Sequence, residues 1–321
     1  CRERGLQLNQ CGKLVVARND SELAGLDELL RRARVNDVEL HQISAQEARE
    51  IEPHARTHER CLYSPTTASV DPGEVMGSFV QEAREAGVEI RVGSKYLGRK
   101  GDKVRIGDDF IAARYVINAA GLYADSIARD FGFSERYRII PFKGLYLYGN
   151  ETAIPARTNI YPVPDLKNPF LGVHLTVTAR GKVKLGPTAI PAFWREHYKG
   201  FKNFDLREML EIVWSELDLF ASNSFGFRSL AMQEIMKYSR SRLVRLASEL
   251  VSGVSKSQFD RWGPAGIRAQ LVDVRDRRLE MDFCYEGDDR SFHVLNAVSP
   301  AFTCAIPFTR YLFDEIETLM K

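Results

Sequence analysis

The sequence predicts a mixed α/β (α+β) fold with more than one domain. Strand-like and helix-like segments alternate along residues 12–132, which is the pattern of α/β and α+β proteins. Residues 139–184 contain mainly short strand patterns separated by Pro and Gly, which indicates an antiparallel sheet. The 321 residues suffice for two or three domains. Because neither a repeat nor a low-complexity linker separates these regions, we expect the domains to be interleaved in sequence.

The first third of the chain carries clear helix and strand signals. The strand KLVVA is followed by the helical pattern SELAGLDELLRRAR and the strand VELHQI, and Ser44 with Glu47 then forms a capping box that starts a short helix. Asp71 can cap a further helix, Pro72 suits its first position, and Gly87 ends it. We predict a buried strand, VEIRV, directly after this helix, which would complete half of a βαβ unit.

A strand that ends in small residues follows a predicted hairpin. The hairpin turns at Gly107, and the strand YVI then leads into Ala119, Ala120 and Gly121 before the next helix. Small residues at such a turn let the backbone approach a ligand without obstruction, although packing alone can also require them. The turn is therefore a candidate ligand contact.

The remainder of the chain predicts helices and then strands. Residues 204–251 show helical spacing, the strand patterns RAQLVDV, LEMDFCY and SFHVLNA follow, and an amphipathic helix is expected from Pro300 to the end. Asn296 ends the last strand, Ser299 is a favoured N-cap, and Pro300 fits a first helical turn. A helix N-terminus favours negative charge in a ligand, but an ordinary capped helix has the same sequence.

Composition excludes several classes of protein. With 45 Lys and Arg against 43 Asp and Glu, the chain lacks the basic excess of a dedicated nucleic-acid binder, and we predict no nucleic-acid partner. The sequence has neither a long apolar run nor a signal-peptide pattern, so we expect a soluble cytoplasmic protein. The odd number of dispersed cysteines indicates reduced thiols; they are Cys1, Cys11, Cys61, Cys284 and Cys304. An N-terminal nucleophile at Cys1 stays an alternative without a supporting motif.

Several catalytic and nucleotide-binding motifs are absent, and two other features have ordinary explanations as well as functional ones. The motifs GxGxxG, GxxxxGK[ST], GxSxG and HExxH do not occur in the chain. His54, His58 and Cys61 imitate metal-ligand spacing in what reads as an exposed loop, but no second Cys/His pair accompanies them, so we predict no metal site. Residues 237–278 contain ten Lys or Arg against four Asp or Glu. This excess could steer a dianionic substrate or contact an anionic membrane surface, or it could be a solvated helical face.

Several segments taken together resemble a known enzyme family. The chain is similar, over nearly its whole length, to FAD-dependent oxidoreductases of the D-amino-acid oxidase type, and within them to the L-2-hydroxyglutarate dehydrogenase/oxidase group. The segments that carry the resemblance are VDPGEVMGSFVQEAREAGVEI, YVINAAGLYAD, PFKGLYLY, YPVPDLKNPFLGVHLT, KLGP, WGPAGIRAQ and HVLNAVSPAFTCAI.

The resemblance implies an incomplete FAD-binding Rossmann-like domain interleaved with an antiparallel-sheet substrate domain. The FAD-binding part would comprise residues 61–136 and 263–321, and the substrate part residues 11–60 and 137–262. Members of the family open with a strand, a GxGxxG turn and a helix that bind the FAD pyrophosphate. That opening is absent from this sequence, so we expect the chain by itself to bind FAD poorly.

The resemblance also implies contacts with FAD. Backbone groups at Tyr96 would meet the adenine, although the family usually has Val there. The small-residue turn would lie along the cofactor, and the last strand with its following loop would meet the flavin pyrimidine edge, where a helix N-terminus stabilises reduced flavin. The implied residues are Tyr96, Ala120, Gly121, Asn296, Ser299, Pro300 and Ala301.

The implied reaction is oxidation of L-2-hydroxyglutarate to 2-oxoglutarate by hydride transfer to flavin. His174 is the candidate base because a neutral imidazole can accept the hydroxyl proton near neutral pH. Arg268 would bind the substrate carboxylate through its planar fork, and Lys143 would face the flavin or the distal carboxylate. The alternatives are a structural role for His174, a surface salt bridge for Arg268 and a solvated side chain for Lys143.

Partners and competing functions also follow. We expect a small dicarboxylate as substrate and a quinone or oxygen as electron acceptor; use of a quinone would bring peripheral contact with the inner membrane. An oxidase or dehydrogenase of another small α-hydroxy or α-amino acid is an alternative function. A non-catalytic remnant without its cofactor site is a second alternative.

Overall fold

The chain divides into two compact units that are interleaved in sequence. The computed structural model describes residues 1–165, 171–223, 227–298 and 300–321. The first unit comprises residues 1–90, 144–190 and 232–265, and the second comprises residues 91–143, 191–231 and 266–321. The assignment of FAD-binding and substrate roles to residue ranges stays a prediction.

Short strands outnumber helices in the described parts of the chain. The strands are β1 Leu8–Asn9, β2 Lys13–Val16, β3 His41–Ser44, β4 Arg60–Ser64, β5 Ser69–Val70, β6 Tyr96–Lys100, β7 Lys103–Ile106, β8 Asp109–Ala112, β9 Val116–Asn118, β10 Tyr137–Gly144, β11 Leu147–Tyr148, β12 Asn159–Pro162, β13 His174–Val177, β14 Val183–Gly186, β15 Ile190–Pro191, β16 Arg261–Trp262, β17 Gly266–Asp273, β18 Arg278–Leu279, β19 Cys284–Gly287 and β20 Ser291–Asn296. The helices are α1 Asp20–Val35, α2 Ala45–Ile51, α3 Pro72–Glu85, α4 Ala124–Asp130, α5 Leu206–Ser222, α6 Phe227–Met236, α7 Arg240–Ser248 and α8 Ala305–Leu319, with 3₁₀ turns at Arg2–Arg4 and Gly121–Tyr123.

The first unit is built on an eight-stranded mixed sheet in the order β16-β11-β14-β13-β12-β2-β4-β3. Neighbouring strands are antiparallel except β12 and β2, which run parallel. One face carries alternate apolar side chains that pack against the helix α7. Members of this core include Leu14, Val16, Leu147, Ile160, Leu175, Leu185, Leu243 and Ala247.

Alternation along the same strands gives the other face of the sheet a different character. Because Leu14, Ile160, Leu175 and Leu185 point into the core, their neighbours in sequence point to the opposite face. At the α1 end, Val15 and other residues of that face pack against the helix. Toward the centre the face is polar and aromatic, with Lys13, Tyr161, His174, Thr176 and Lys184.

The second unit also contains a parallel strand pair. β9 and β20 run parallel, β19 borders β20, and α4 and α8 contribute apolar side chains that pack against β20. β6, β7 and β8 form a separate three-stranded meander. β10 lies between β15 and β17, and β18 borders β17.

Local signals in the sequence are confirmed at several places. The Ser44 hydroxyl accepts the Glu47 N–H, and the Glu47 carboxylate accepts the Ser44 N–H, as a capping box requires. The Asp71 carboxylate caps α3, which begins at Pro72 and ends before a turn containing Gly87 at φ 82°. β7 and β8 form the hairpin around Gly107.

The strand predicted after Gly87 is wrong. Residues 88–92 form no strand, and Val88 and Val92 are 54% and 85% exposed. An isolated extended segment cannot satisfy its backbone groups, so a β-pattern becomes a strand only beside a partner. The described part of the chain places no strand beside this segment.

The last helix begins five residues later than predicted. Residues 300–304 form turns, and α8 starts at Ala305. Pro307 explains the shift, because a helix from Pro300 would place this proline in its interior, where it has no N–H to donate and clashes with the preceding turn. Starting at Ala305 places Pro307 in the first turn, where the N–H has no helical partner in any case.

Candidate active site

The small-residue turn lies at the carboxyl end of β9 and is held by Asn118. The Asn118 Oδ1 accepts the Ala120 N–H at 3.2 Å, and its Nδ2 donates to the Ala124 carbonyl at 2.8 Å. Asn118 is buried, whereas Ala120 and Gly121 are exposed. The buried amide thus fixes the shape of a turn whose outer surface is open.

A buried histidine supports Asn118 from the neighbouring strand. Asn118 Nδ2 also donates to His293 Nδ1 at 3.1 Å, so His293 carries its proton on Nε2 and donates it to the Ser291 hydroxyl at 3.1 Å. Burial lowers the pKa of His293 to about 4. The imidazole is therefore neutral near pH 7 and links β20 to the turn after β9.

These residues fit a flavin nucleotide. Gly121 has φ 54°, and no atom lies within 4 Å of the place where a side chain would begin. The β9 and β20 carboxyl ends lie at one edge of the sheet, which is where α/β folds bind nucleotide cofactors. An exposed, side-chain-poor turn at this edge suits close approach of FAD.

Two of the other predicted cofactor contacts, Tyr96 and Asn296, make side-chain hydrogen bonds within the protein. Tyr96 begins β6 and its hydroxyl donates to Asp130 Oδ2 at 2.9 Å, while burial raises its pKa. Asn296 ends β20, but its Nδ2 donates to the Glu280 and Asp282 carbonyls, so the amide group is engaged within the protein. Pro300 and Ala301 lie in turns before α8, and Ser299 lies outside the described residues.

Arg268 and Lys143 lie on neighbouring strands of the second unit. Arg268 is on β17 and Lys143 is on β10; both are half-buried, and burial lowers the pKa of each. β17 also contacts β20 and the 3₁₀ turn that starts at Gly121. The structure therefore brings the strands of Arg268 and Lys143 together with the candidate FAD turn.

His174 lies on the polar face of the first unit's sheet and is 2% exposed. Its Nδ1 is 2.9 Å from the Gly172 carbonyl, and because a carbonyl only accepts, Nδ1 carries the proton. Burial lowers the pKa of His174 to about 4, with smaller contributions from nearby lysines. The imidazole is therefore neutral at pH 7 and has a lone pair on Nε2.

Aromatic side chains hold the His174 ring on two sides. The Tyr161 ring stacks on it at 3.8 Å between centroids, and the Tyr146 ring meets it edge-on at 6.3 Å. Gly186 pairs with His174 across β13 and β14, and any side chain there would meet the Tyr146 ring at 2.6 Å. A glycine is needed at that position for Tyr146 to lie over the sheet.

Sequence reasoning missed two lysines beside His174. The Lys184 ammonium lies 4.1 Å from the Tyr146 ring centroid, and the Lys13 ammonium lies 5.7 Å from the Tyr161 ring centroid. Burial lowers the pKa of both lysines. The signal in the sequence was a lysine between apolar neighbours in KVKLG and GKLVV, which places a charge on the face opposite a core.

Within the described residues, His54, His58 and Cys61 do not come together as a group of metal-binding side chains. Cys61 is fully buried on β4, contrary to the exposed loop expected there, because its side chain joins the core of the eight-stranded sheet. Burial raises the pKa of its thiol to about 12, so it is not a ready thiolate ligand. His58 Nε2 lies 2.8 Å from Asp20 Oδ1 at the surface.

Residues 1–314 match the family model described as FAD dependent oxidoreductase, and the chain belongs to this family. It is an FAD-dependent enzyme.

Curated relatives of the chain align with its whole length. The chain is 34% identical over 345 residues to the mitochondrial L-2-hydroxyglutarate dehydrogenase of Mus musculus, an alignment that covers 100% of the chain and 73% of the relative. It is 32% identical over 335 residues to the L-2-hydroxyglutarate dehydrogenase of Escherichia coli strain K12, covering 100% of the chain and 76% of the relative.

Solved structures share the fold. Dithionite-reduced L-α-glycerophosphate oxidase from Mycoplasma pneumoniae with FAD bound matches with a TM-score of 0.72 and 18% identity, covering 98% of this chain and 74% of that chain. Glycine oxidase from Geobacillus kaustophilus matches with a TM-score of 0.66 and 16% identity, covering 99% and 74%. The predicted α/β fold of the D-amino-acid oxidase type is confirmed.

None of the helices in the described ranges is both long enough and apolar enough to span a bilayer.

Proposed function

We propose that this protein oxidises L-2-hydroxyglutarate to 2-oxoglutarate with FAD. The observation that carries the proposal is His174, a buried neutral imidazole with Nδ1 bonded to a carbonyl and Nε2 left as an acceptor on a cationic sheet face. The curated relatives named L-2-hydroxyglutarate dehydrogenase, which align with the whole chain, support the choice of substrate.

The protein's own groups account for the proton and the charges in this reaction. FAD, when bound, accepts the hydride that leaves C2 of the substrate. Nε2 of His174 takes the hydroxyl proton, so that the C–O bond becomes a carbonyl and atoms and charge balance. Arg268 binds the C1 carboxylate through its guanidinium fork, and Lys143 faces the flavin or the distal carboxylate.

The cofactor contacts follow from the turn held by Asn118. Ala120 and Gly121 would lie against FAD through their backbone, Tyr96 would offer backbone groups to the adenine, and Asn296 would position the strand end near the pyrimidine edge. Pro300 and Ala301, in the turns before α8, would complete that edge together with Ser299, which lies outside the described residues.

The electron acceptor would be a quinone or oxygen. The protein would act in the cytoplasm, and at the membrane surface if the acceptor is a quinone. Oxygen consumption and reduction of a soluble quinone analogue, measured side by side with the same substrate, distinguish the two acceptors.

The test of function uses the protein expressed from its complete reading frame. It should purify yellow and convert L-2-hydroxyglutarate, but not its D-enantiomer, to 2-oxoglutarate. Preference for another α-hydroxy or α-amino acid would support the alternative substrate class. A colourless protein that also fails to bind added FAD would refute the proposal and favour a non-catalytic remnant.

A further inference from the structure

Two ammonium groups flank His174 on the same face of the eight-stranded sheet. The register pairs Lys184 with Thr176 across β14 and β13, and pairs Lys13 with Asn159 across β2 and β12. Because Ile160 pairs with Leu175, Asn159 lies beside Thr176, and all four residues form one row across the sheet. Three strand spacings of about 4.8 Å each therefore separate the backbones of the two lysines. His174 lies in the adjacent row, on the strand of Thr176.

The lysines lie against aromatic rings and form no ion pair with an acidic side chain among the described residues. Lys184 lies over Tyr146 and Lys13 over Tyr161, and these are the two rings that contact His174. No acidic group in the described parts of the chain lies close enough to either ammonium to influence its pKa, which burial alone lowers. A partly buried cation without a counter-charge is costly, and a bound anion would compensate it.

A third lysine nearby shows the contrast. Lys237 is close enough to lower the pKa of His174, but it forms an ion pair with the buried carboxylate of Glu234. Its charge is therefore balanced by the protein itself. Lys13 and Lys184 are the two cations near His174 whose balance is left to a ligand.

An unsatisfied hydroxyl lies between the two lysines. The Thr176 Oγ1 is buried and makes no hydrogen bond of normal geometry to any described group, although the Tyr161 phenol is nearby. Buried hydroxyls normally have a partner, and a carboxylate oxygen would accept a hydrogen bond from this one. Lys13 and Lys184 lie in one row, no described acidic group balances their charges, and the Thr176 hydroxyl is unsatisfied. Together these observations indicate that a carboxylate binds here.

We infer that Lys13 and Lys184, with the Thr176 hydroxyl between them, bind the distal carboxylate of the substrate and select dianionic over monoanionic 2-hydroxy acids. This inference rests on the proposed function, because it assigns the second carboxylate of the same substrate. It goes further in naming the residues that make the enzyme specific for a dicarboxylate.

Substrate selectivity provides the kinetic test. In Lys13→Met and in Lys184→Met, kcat/KM for L-2-hydroxyglutarate should fall about 10- to 100-fold, as expected for loss of a charge-assisted contact. The value for L-2-hydroxybutyrate, which lacks the distal carboxylate, should change by less than about threefold, because this contact is absent from its complex. Lys182→Met, at an exposed position just before β14, is the matched control and should leave both values unchanged. An equal fall for both substrates, or no fall for either, would overturn the inference.

Direct binding separates this inference from the proposed function. Glutarate has both carboxylates but no hydroxyl, so its binding can be measured by calorimetry without turnover, and butyrate is the control ligand. Wild-type protein should bind glutarate, and each lysine variant should bind it at least about tenfold more weakly. If this pattern holds while L-2-hydroxyglutarate is not oxidised, the proposed reaction fails and the subsite stands. If oxidation is normal and the variants bind glutarate like wild type, the subsite fails and the reaction stands.

Melting temperatures of the two lysine variants, with and without glutarate, provide a further test. Removing an uncompensated ammonium should keep or raise the melting temperature of the ligand-free protein, because methionine fills similar volume without the charge. It should also shrink the increase in melting temperature that glutarate causes in wild type. An undiminished increase in both variants would contradict the inference even if their kinetics changed.

Discussion

The His174 imidazole and the Tyr161 phenol ring lie face to face, with centroids 3.8 Å apart and planes 13° apart. The stack fixes the plane of the imidazole, and the hydrogen bond to Gly172 fixes which nitrogen carries the proton. Together they leave Nε2 of a desolvated, neutral ring as a proton acceptor.

Replacing His174 should remove the base but keep the cofactor. His174→Ala should lower kcat by about 10²- to 10⁴-fold, as expected for loss of a general base, with flavin content unchanged. Steady-state kinetics with a flavin absorbance check measure both quantities. His41→Ala is the matched control, since His41 is exposed on the edge strand β3. Full activity in His174→Ala would leave His174 a structural residue.

The pH profile should differ between the free enzyme and the substrate complex. In the free enzyme, burial and the charges of Lys13, Lys184 and Lys237 lower the pKa of His174 to about 4. The acid limb of kcat/KM should therefore lie well below the usual histidine value of about 6.5. In the substrate complex, the two carboxylates favour the imidazolium form of His174 and raise its pKa, so the acid limb of kcat should lie at higher pH than that of kcat/KM. A kcat/KM limb near pH 6.5 would contradict a desolvated His174 base.

Changing the fork of Arg268 should act mainly on substrate binding. Arg268→Lys keeps the charge but loses the bidentate geometry, so KM should rise strongly and kcat should fall less, through misplacement of C2. Arg261→Lys, on the edge strand β16, is the control. An unchanged KM for L-2-hydroxyglutarate in Arg268→Lys would remove Arg268 from carboxylate binding.

Loss of the Asn118 amide should weaken cofactor binding. Asn118→Ala removes the bond to Ala120 and leaves the Ala124 carbonyl and His293 Nδ1 without their donor. An unsatisfied buried group costs about 1–3 kcal/mol, so stability should fall by about this amount. FAD affinity, measured by flavin fluorescence, should fall about tenfold or more. Asn150→Ala, which disrupts a polar turn in the other unit, should lower stability without this loss of affinity.

Local signals were sufficient where a few neighbouring residues determine the conformation. The Ser44 capping box and the Asp71 cap need only their own turn, so the sequence alone predicted them. His174 and Arg268 were selected because the family resemblance marked their segments. The sequence alone could not predict the polar sheet face, because alternation identifies the two faces of a strand but not which strands are neighbours.

Failures of prediction came from long-range partners. The segment VEIRV has the alternation of a strand, but strand formation depends on a neighbour that the sequence does not identify. Lys13 and Lys184 are 171 residues apart in sequence and share a site only because β2 and β14 belong to one sheet. The start of α8 could have been predicted, since Pro307 restricts where that helix begins.

The most direct test of the central claim is anaerobic reduction of the enzyme-bound flavin by substrate. The protein is expressed from its complete reading frame, loaded with FAD, and titrated with L-2-hydroxyglutarate in the absence of oxygen and other acceptors. The account predicts that the oxidised flavin absorbance disappears while one 2-oxoglutarate forms per flavin, and that the D-enantiomer has no effect. Flavin that stays oxidised with L-2-hydroxyglutarate, but is reduced by another α-hydroxy or α-amino acid, would contradict it.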